Sequence, residues 1–217
     1  RADCSLDRSL VAWTPVADRV HLLDPQSGSP PRQIRVADEE VVGDVALAPH
    51  GRWVAATVGT RKSPKSVRVW STGDARQVAR LPLENGTGYT TLKFSSNGRW
   101  LVCRTQTDYA FWETHSWQLR RCLPQRHSLF GPVAFSSDGL LAATALSRNK
   151  AQLLDMKTLT PLAVLESRDL PLILALRFTP DTRMLAVSND RRVICLWNLD
   201  RVRQQLKALG LDWPATA

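Results

Sequence analysis

Five short apolar runs in this chain end on Leu23, Trp70, Trp112, Leu154 and Trp197, which lie 47, 42, 42 and 43 residues apart. Each is followed by a polar or acidic residue: Asp24, Ser71, Glu113, Asp155 and Asn198. A second series keeps the same interval, with His50-Gly51, Asn97-Gly98, Asp138-Gly139 and Asp181-Thr182 placed 15 to 20 residues ahead of the later closures. Self-similarity at this period means stacked units, because one unit of about 40 residues cannot bury an apolar face alone.

Each unit reads as four strands. An apolar stretch (Val45 to Leu47, Thr91 to Phe94, Val133 to Phe135, Ala175 to Phe178) enters the turn pair, and a second leaves it (Trp53 to Val58, Trp100 to Arg104, Leu140 to Ala145, Met184 to Ser188). The pairs suit a tight turn with positive φ, which Gly adopts without steric cost and Asn or Asp tolerates. The third run is clearest at Val67 to Trp70 and Val193 to Trp197; its weak polar alternation predicts a strand covered on both faces. A more polar fourth run follows, at Arg32 to Val36, Gln77 to Leu81, Trp117 to Cys122 and Pro161 to Leu165, as suits an outer edge.

Four strands per repeat of roughly 40 to 45 residues is the pattern of a WD40-type β-propeller. Ala134-Phe135-Ser136-Ser137-Asp138-Gly139 and Arg177-Phe178-Thr179-Pro180-Asp181 resemble the Phe-Ser-Pro-Asp-Gly stretch of bacterial WD40-repeat proteins, and Leu196-Trp197-Asn198 resembles their Leu-Trp-Asp ending. The resemblance covers nearly the whole chain and implies an all-β propeller, about five blades of it over residues 1–199, followed by a helix and tail over 200–217. Trp-Asp itself never occurs and the Gly-His opening of many repeats is missing, with His127 only loosely placed. Cohesion is therefore expected from packing more than from a buried Ser, His, Asp and Trp network.

Counted this way, the first blade begins at its second strand, near Ser9 to Trp13, and the last stops after its third at Trp197. The total is eighteen strands, which reads as the C-terminal part of a longer protein with further strands upstream. The stretch from Asp200 to Trp213 is similar to the ending of WD40 regions attached to bacterial serine/threonine kinase domains; that attachment is implied by the resemblance alone. In the tail, Asp200 can cap a helix, Val202, Leu206 and Leu209 share one face that docks on the last blade or leads toward a neighbouring domain, and Gly210 suits its C-terminal stop, with Leu211 closing over it.

The net charge is +9, from 23 Arg and 6 Lys against 20 acids. The cations are scattered and no reader motif accompanies them, so nucleic acid is not the expected partner. Cys4, Cys103, Cys122 and Cys195 have no Cys-x-x-Cys spacing, which fits core thiols in a reducing, cytoplasmic setting. No run approaches the roughly 18 apolar residues of a membrane span. Asn85-Gly86-Thr87 matches a glycosylation sequon and reads as a turn.

Chemistry is sparse. Innermost strands would begin at Val42-Gly43-Asp44, Gly88-Tyr89-Thr90, Gly131-Pro132 and Leu172-Ile173, which offer one carboxylate and no His. His21, His50, His115 and His127 are isolated and read as surface or turn residues; no nucleophile motif and no phosphate-cradling loop is present. No catalytic residue, metal or cofactor is expected. The loops between second and third strands carry Arg61, Lys62, Lys65, Arg148, Lys150, Arg191 and Arg192, whereas those joining successive blades carry Asp38, Glu39, Glu40, Asp44, Glu84, Glu166 and Asp169. A charged rim on a rigid frame suits recognition of a polar or acidic peptide. The expectation is a non-catalytic interaction scaffold; the alternative is a small-ligand or lactonase-like propeller completed by upstream blades. Trp13, Trp53, Trp70, Trp100, Trp112 and Trp197 read as inter-blade packing, with Trp117 and Trp213 less committed.

Overall fold

A computed structural model describes residues 1–15, 18–36, 40–60, 64–84, 90–125, 131–166 and 172–211. They form five antiparallel sheets and one helix. The first sheet runs β1 (Ala2–Cys4), β2 (Val11–Trp13), β3 (Arg19–Leu23), β4 (Arg32–Arg35). The second runs β5 (Val41–Leu47), β6 (Trp53–Gly59), β7 (Pro64–Ser71), β8 (Gln77–Pro82), and the third β9 (Thr91–Phe94), β10 (Trp100–Arg104), β11 (Asp108–Glu113), β12 (Gln118–Pro124). The fourth holds β13 (Val133–Phe135), β14 (Leu141–Ala145), β15 (Lys150–Asp155) and β16 (Thr160–Glu166). The fifth has three strands, β17 (Ile173–Phe178), β18 (Met184–Asn189) and β19 (Ile194–Asn198), before α1 (Leu199–Ala208). Strands neighbour one another in chain order in every sheet. The chain divides into two compact units, Arg1–Pro124 with three sheets and Gln125–Ala217 with two.

The repeat seen in sequence is a repeat in register. Val11 faces Leu23, Val54 faces Trp70, Leu101 faces Trp112, Ala142 faces Leu154 and Leu185 faces Trp197. In the second, third and fourth sheets the pairing to the outer strand shifts at that same residue, between Val69 and Trp70, Phe111 and Trp112, and Leu153 and Leu154. Such a bulge turns the strand locally and re-aims the closing side chain. Trp70, Trp112 and Leu154 are buried, while Trp197 is half-buried against the core of the second unit.

The first sheet departs from the strand count. Its inner strand β1 is present, so the described residues hold nineteen strands, not eighteen. Asp7-Arg8 is an additional member of the turn series, with Arg8 at φ 59° where Gly51, Gly98 and Gly139 stand at 68° to 70° and Thr182 at 62°. A three-residue strand and a turn without glycine left little pattern to read.

The turns differ from the expected two-residue form. The backbone bonds run from Ser5 N–H to Leu10 O and from Ser95 N–H to Trp100 O, which leaves a four-residue loop, and only the second residue of each pair is left-handed. The Asp or Asn acts instead as an acceptor. Ser5, Ser95, Ser136 and Thr179 each donate a hydroxyl to Asp7, Asn97, Asp138 and Asp181 at 2.5–2.7 Å. The same hydroxyls accept the N–H of Leu10, Trp100, Leu141 and Met184 at 2.9–3.0 Å. The Ser5 hydroxyl and the Ser9 N–H and hydroxyl hold the Asp7 carboxyl down to about 2. The second sheet has Ala48 and His50 in these places, so its turn lacks the hydroxyl bridge and keeps the backbone bonds, with the Thr72 hydroxyl on the Gly51 carbonyl.

Sheets pack face to face within each unit. Val20, Leu22 and Ile34 of the first sheet share a core with Val42, Val45 and Val54 of the second. Val67, Val69 and Leu81 meet Leu92, Phe94 and Leu101 of the third, and in the second unit Ala151, Leu153 and Leu165 meet Leu176, Leu185 and Val187. The polar outer strands each bury one aliphatic residue: Ile34, Leu81, Leu123 and Leu165.

Helix α1 is capped by Asn198, not Asp200: the Asn198 side chain accepts the Arg201 N–H at 2.9 Å. Asp200 sits in the first turn, where its charge favours the helix N-terminus. At the other end Gly210 is left-handed at φ 72°, its N–H bonded to Lys207 O and that of Leu211 to Leu206 O, a Schellman closure. Val202 and Leu206 pack on the second unit's core with the buried Leu199, whereas Leu209 is 71% exposed and Leu211 64%, so neither docks.

Candidate functional site

The four predicted rim cations of the second unit come together through backbone geometry. The loop from β14 to β15 is closed by Leu146 N–H to Lys150 O at 2.9 Å, and the Arg148 carbonyl accepts the N–H of Ile173, the first residue of β17, at 2.8 Å. Ile173 pairs with Asn189 at the end of β18. The buried Asn189 side chain accepts the N–H groups of Arg191 and Val193 at 3.0 Å each, which fixes the turn into β19 and sets Arg192 at φ 62°. Arg148, Lys150, Arg191 and Arg192 therefore stand at one end of two adjacent sheets. Lys150 is engaged, its Nζ 3.1 Å from Glu166 on the neighbouring strand, and Glu166 also accepts from Asn149. Arg148, Arg191 and Arg192 are exposed.

In the first unit Lys65 is exposed at the start of β7, with its carbonyl taken by Leu83 N–H at 3.0 Å. Arg61 and Lys62 lie outside the described residues, as do Asp38, Glu39, Asp169, His127, Trp213 and the Asn85-Gly86-Thr87 stretch. The corresponding loop of the third sheet is acidic and hydroxylic, with Thr105 donating to Asp108 at 3.0 Å and Thr107 to the other oxygen of Asp108 at 3.0 Å.

Asp44 is not a rim residue. It is buried inside β5, its Oδ2 accepting Leu92 N–H from the third sheet at 2.9 Å and its Oδ1 3.6 Å from Arg1 Nε. Its own N–H donates to Thr57, which also receives the Thr90 hydroxyl at 3.1 Å. Burial raises its carboxyl pKa against the opposing pull of the Leu92 N–H and Arg1. Asp3, which no sequence pattern marks, does the same between the first two sheets by accepting Leu47 N–H at 2.9 Å. Side-chain hydrogen bonds through Asp3 and Asp44 thus join inner strands, adding to the packing that the sequence led one to expect as the source of cohesion. Glu40 is likewise committed, ion-paired with the buried Arg68.

His21 is neither surface nor turn: it lies in β3, half-buried, and stacks on Trp13 with ring centroids 5.1 Å apart. His50 and His115 are exposed in turns. Trp117 occupies the left-handed position before β12 that Ala75 and Leu159 hold in the second and fourth sheets, and meets Trp53 edge-on at 5.9 Å. Arg52 and Arg99, each preceding a Trp, lie over the rings of Trp53 and Trp100 at 4.6 and 5.3 Å. Burial raises the pKa of the fully buried Cys103 thiol; Cys4 and Cys122 are exposed, and all four cysteines are free.

Among the described residues no cluster of three or more His, Cys, Asp or Glu has metal-binding geometry, and no helix is long and apolar enough to cross a membrane. No protein-family model matches the sequence, and no curated protein matches it significantly. On these observations the described residues form a mostly antiparallel β protein built from five sheets that repeat one plan.

Proposed function

We propose that the chain is a run of blades from a WD40-type β-propeller that serves as a non-catalytic protein-interaction scaffold, acting as the C-terminal regulatory portion of a multidomain bacterial protein such as a serine/threonine kinase. The observation that carries the binding reading is the convergence of Arg148, Arg191 and Arg192 on the loops at one end of the second unit, held by Ile173 and Asn189. Three guanidinium groups on a fixed frame suit an acidic peptide, since Arg presents a planar fork of donors to a carboxylate. The inner-strand carboxylates Asp3 and Asp44 each accept a backbone N–H from the next sheet, a joint between strands.

Fluorescence anisotropy with a labelled Glu-rich 12-residue peptide and its Lys-rich counterpart tests this reading. The expected result is saturable, salt-sensitive binding of the acidic peptide alone, weakened about tenfold or more by the triple change Arg148→Glu, Arg191→Glu, Arg192→Glu. Equal binding by the triple variant sinks the assignment.

A further inference from the structure

One position of the repeat changes its charge from sheet to sheet. Four residues before the closing residues Leu23, Trp70, Trp112 and Leu154, the third strand pairs with the end of the outer strand. The pairs are Arg19 with Arg35, Ser66 with Pro82, Asp108 with Pro124, and Lys150 with Glu166. In the second and third sheets a proline ends the outer strand, so that side of the pair carries no charge. In the first sheet two arginines stand opposite one another, and Arg19 turns to Asp18 and to the Gln33 side chain. The fourth sheet instead sets a cation against a carboxylate, with Lys150 Nζ 3.1 Å from Glu166 Oε2.

Glu166 is held from the loop as well as from the strand. The Asn149 amide donates to Glu166 Oε1 at 3.3 Å, and the Ser147 hydroxyl donates to Asn149 Oδ1 at 3.3 Å. The β14–β15 loop thus turns Asn149 and Lys150 to Glu166, while Arg148 in the same loop is exposed. Asp190, the other carboxylate described at this end, is exposed in the β18–β19 turn; Glu166 is the one that engages the β14–β15 loop. The Lys150 and Glu166 side chains are 40% and 51% exposed, so the pair is screened by solvent and contributes little to the fold. A charge of this kind acts chiefly on what binds beside it, attracting one sign and repelling the other.

We propose that Glu166 is a resident competitor for the acidic ligand of this end. It holds Lys150 and the Asn149 amide as a ligand carboxylate would, and its own charge repels an incoming acid. An acidic segment engages Arg148, Arg191 and Arg192 first and gains Lys150 only by displacing Glu166, which the weak, solvent-screened pair permits. Glu166 is therefore a repulsive element that sets how strongly acidic a segment must be to dock. The inference rests on the acidic-peptide reading of the three arginines and adds the residue that tunes it.

A double-mutant cycle read by fluorescence anisotropy tests it, with the labelled Glu-rich peptide at one fixed ionic strength and the wild type, Glu166→Gln, Lys150→Gln and the double variant. Both side chains lie outside the core, and far-UV circular dichroism checks that each variant stays folded. Glu166→Gln is expected to bind about fivefold tighter, the factor that an exposed ion pair at the top of its usual range converts to. The same change made on Lys150→Gln is expected to alter affinity by less than about twofold, because no cation is released. Binding detected with Glu166→Gln and not with the wild type supports the competitor role equally. An equal gain with and without Lys150 overturns it, since Glu166 then acts through net charge alone. So does wild-type binding that the triple arginine change weakens but Glu166→Gln does not strengthen, a result that leaves the acidic-peptide reading standing. No binding by the wild type or any variant removes that reading and this inference together.

Discussion

The second and fifth sheets share one strand plan and one register, yet they are held together in opposite ways. The second is covered on both faces, with Val67, Val69 and Trp70 buried, but its turn has Ala48 and His50 where the others have a hydroxyl and a carboxyl or amide. The fifth leaves Ile194 and Leu196 exposed and has three strands among the described residues, but its turn is complete: Thr179 bridges Asp181 and the Met184 N–H. Packing carries the first case and hydrogen bonding supports the second. The repeat therefore specifies a geometry, and the energetic means of holding it vary from sheet to sheet.

The widest gap between the two sheets is expected on truncating equivalent third strands. Trp70→Ala removes a ring enclosed by two sheets and is expected to cost about 3–5 kcal/mol. Leu196→Ala removes a side chain that is mostly in water and is expected to stay within about 0.5 kcal/mol. Urea unfolding followed by far-UV circular dichroism reads both. Equal losses would mean that Leu196 is covered in solution as Trp70 is.

A smaller contrast lies in the turns. Thr179→Ala strips the Met184 N–H and the Asp181 carboxylate of a shared partner, at an expected cost of about 1–2 kcal/mol. The reciprocal change, Ala48→Ser with His50→Asp, installs the missing device in the second sheet. Ala48 is buried, as Ser5, Ser95 and Ser136 are, so the hydroxyl enters an environment that already tolerates it in three other turns. A gain of about 0.5–1 kcal/mol is expected. No gain, with Thr179→Ala still costly, would show that the hydroxyl matters only where packing is thin.

The difference between the two sheets also marks what a sequence can reveal. Trp70, Trp112 and Trp197 were legible as one register position because an aromatic ending an apolar run recurs at a fixed interval. The run from Val193 to Trp197 looked as covered as Val67 to Trp70, yet its burial is set by whether another sheet lies against it, which no local pattern encodes. The strand Ala2–Cys4 is not legible in the sequence because Asp7-Arg8 does the work of a glycine turn with a left-handed arginine. Arg148, Arg191 and Arg192 could be placed on like loops by the repeat, but Asn189 as the residue fixing them could not, since its partners are backbone groups. The same holds for Asp3 and Asp44, whose acceptor role depends on N–H groups 44 and 48 residues away.

Asp44 gives the smallest effect and asks whether a hydrogen bond adds to the well-packed second sheet at all. Burial raises its pKa above the ordinary value of 3.8, so the folded chain holds this proton more tightly than the unfolded chain does. For an acid shifted upward, the favourable contribution is complete below the unfolded value and is lost as pH climbs through the window up to the folded pKa; at neutral pH the burial penalty is fully present. Asp44→Asn removes the charge and keeps an oxygen for the Leu92 N–H. The variant is therefore expected to be at least as stable as the wild type at pH 7, with its advantage shrinking as pH falls toward 3.8. Urea midpoints at neutral and acidic pH decide the sign. A variant that is weaker at pH 7 and draws level in acid would show that the Arg1 ion pair and the Leu92 N–H outweigh desolvation, and that the second sheet leans on hydrogen bonding as the fifth does.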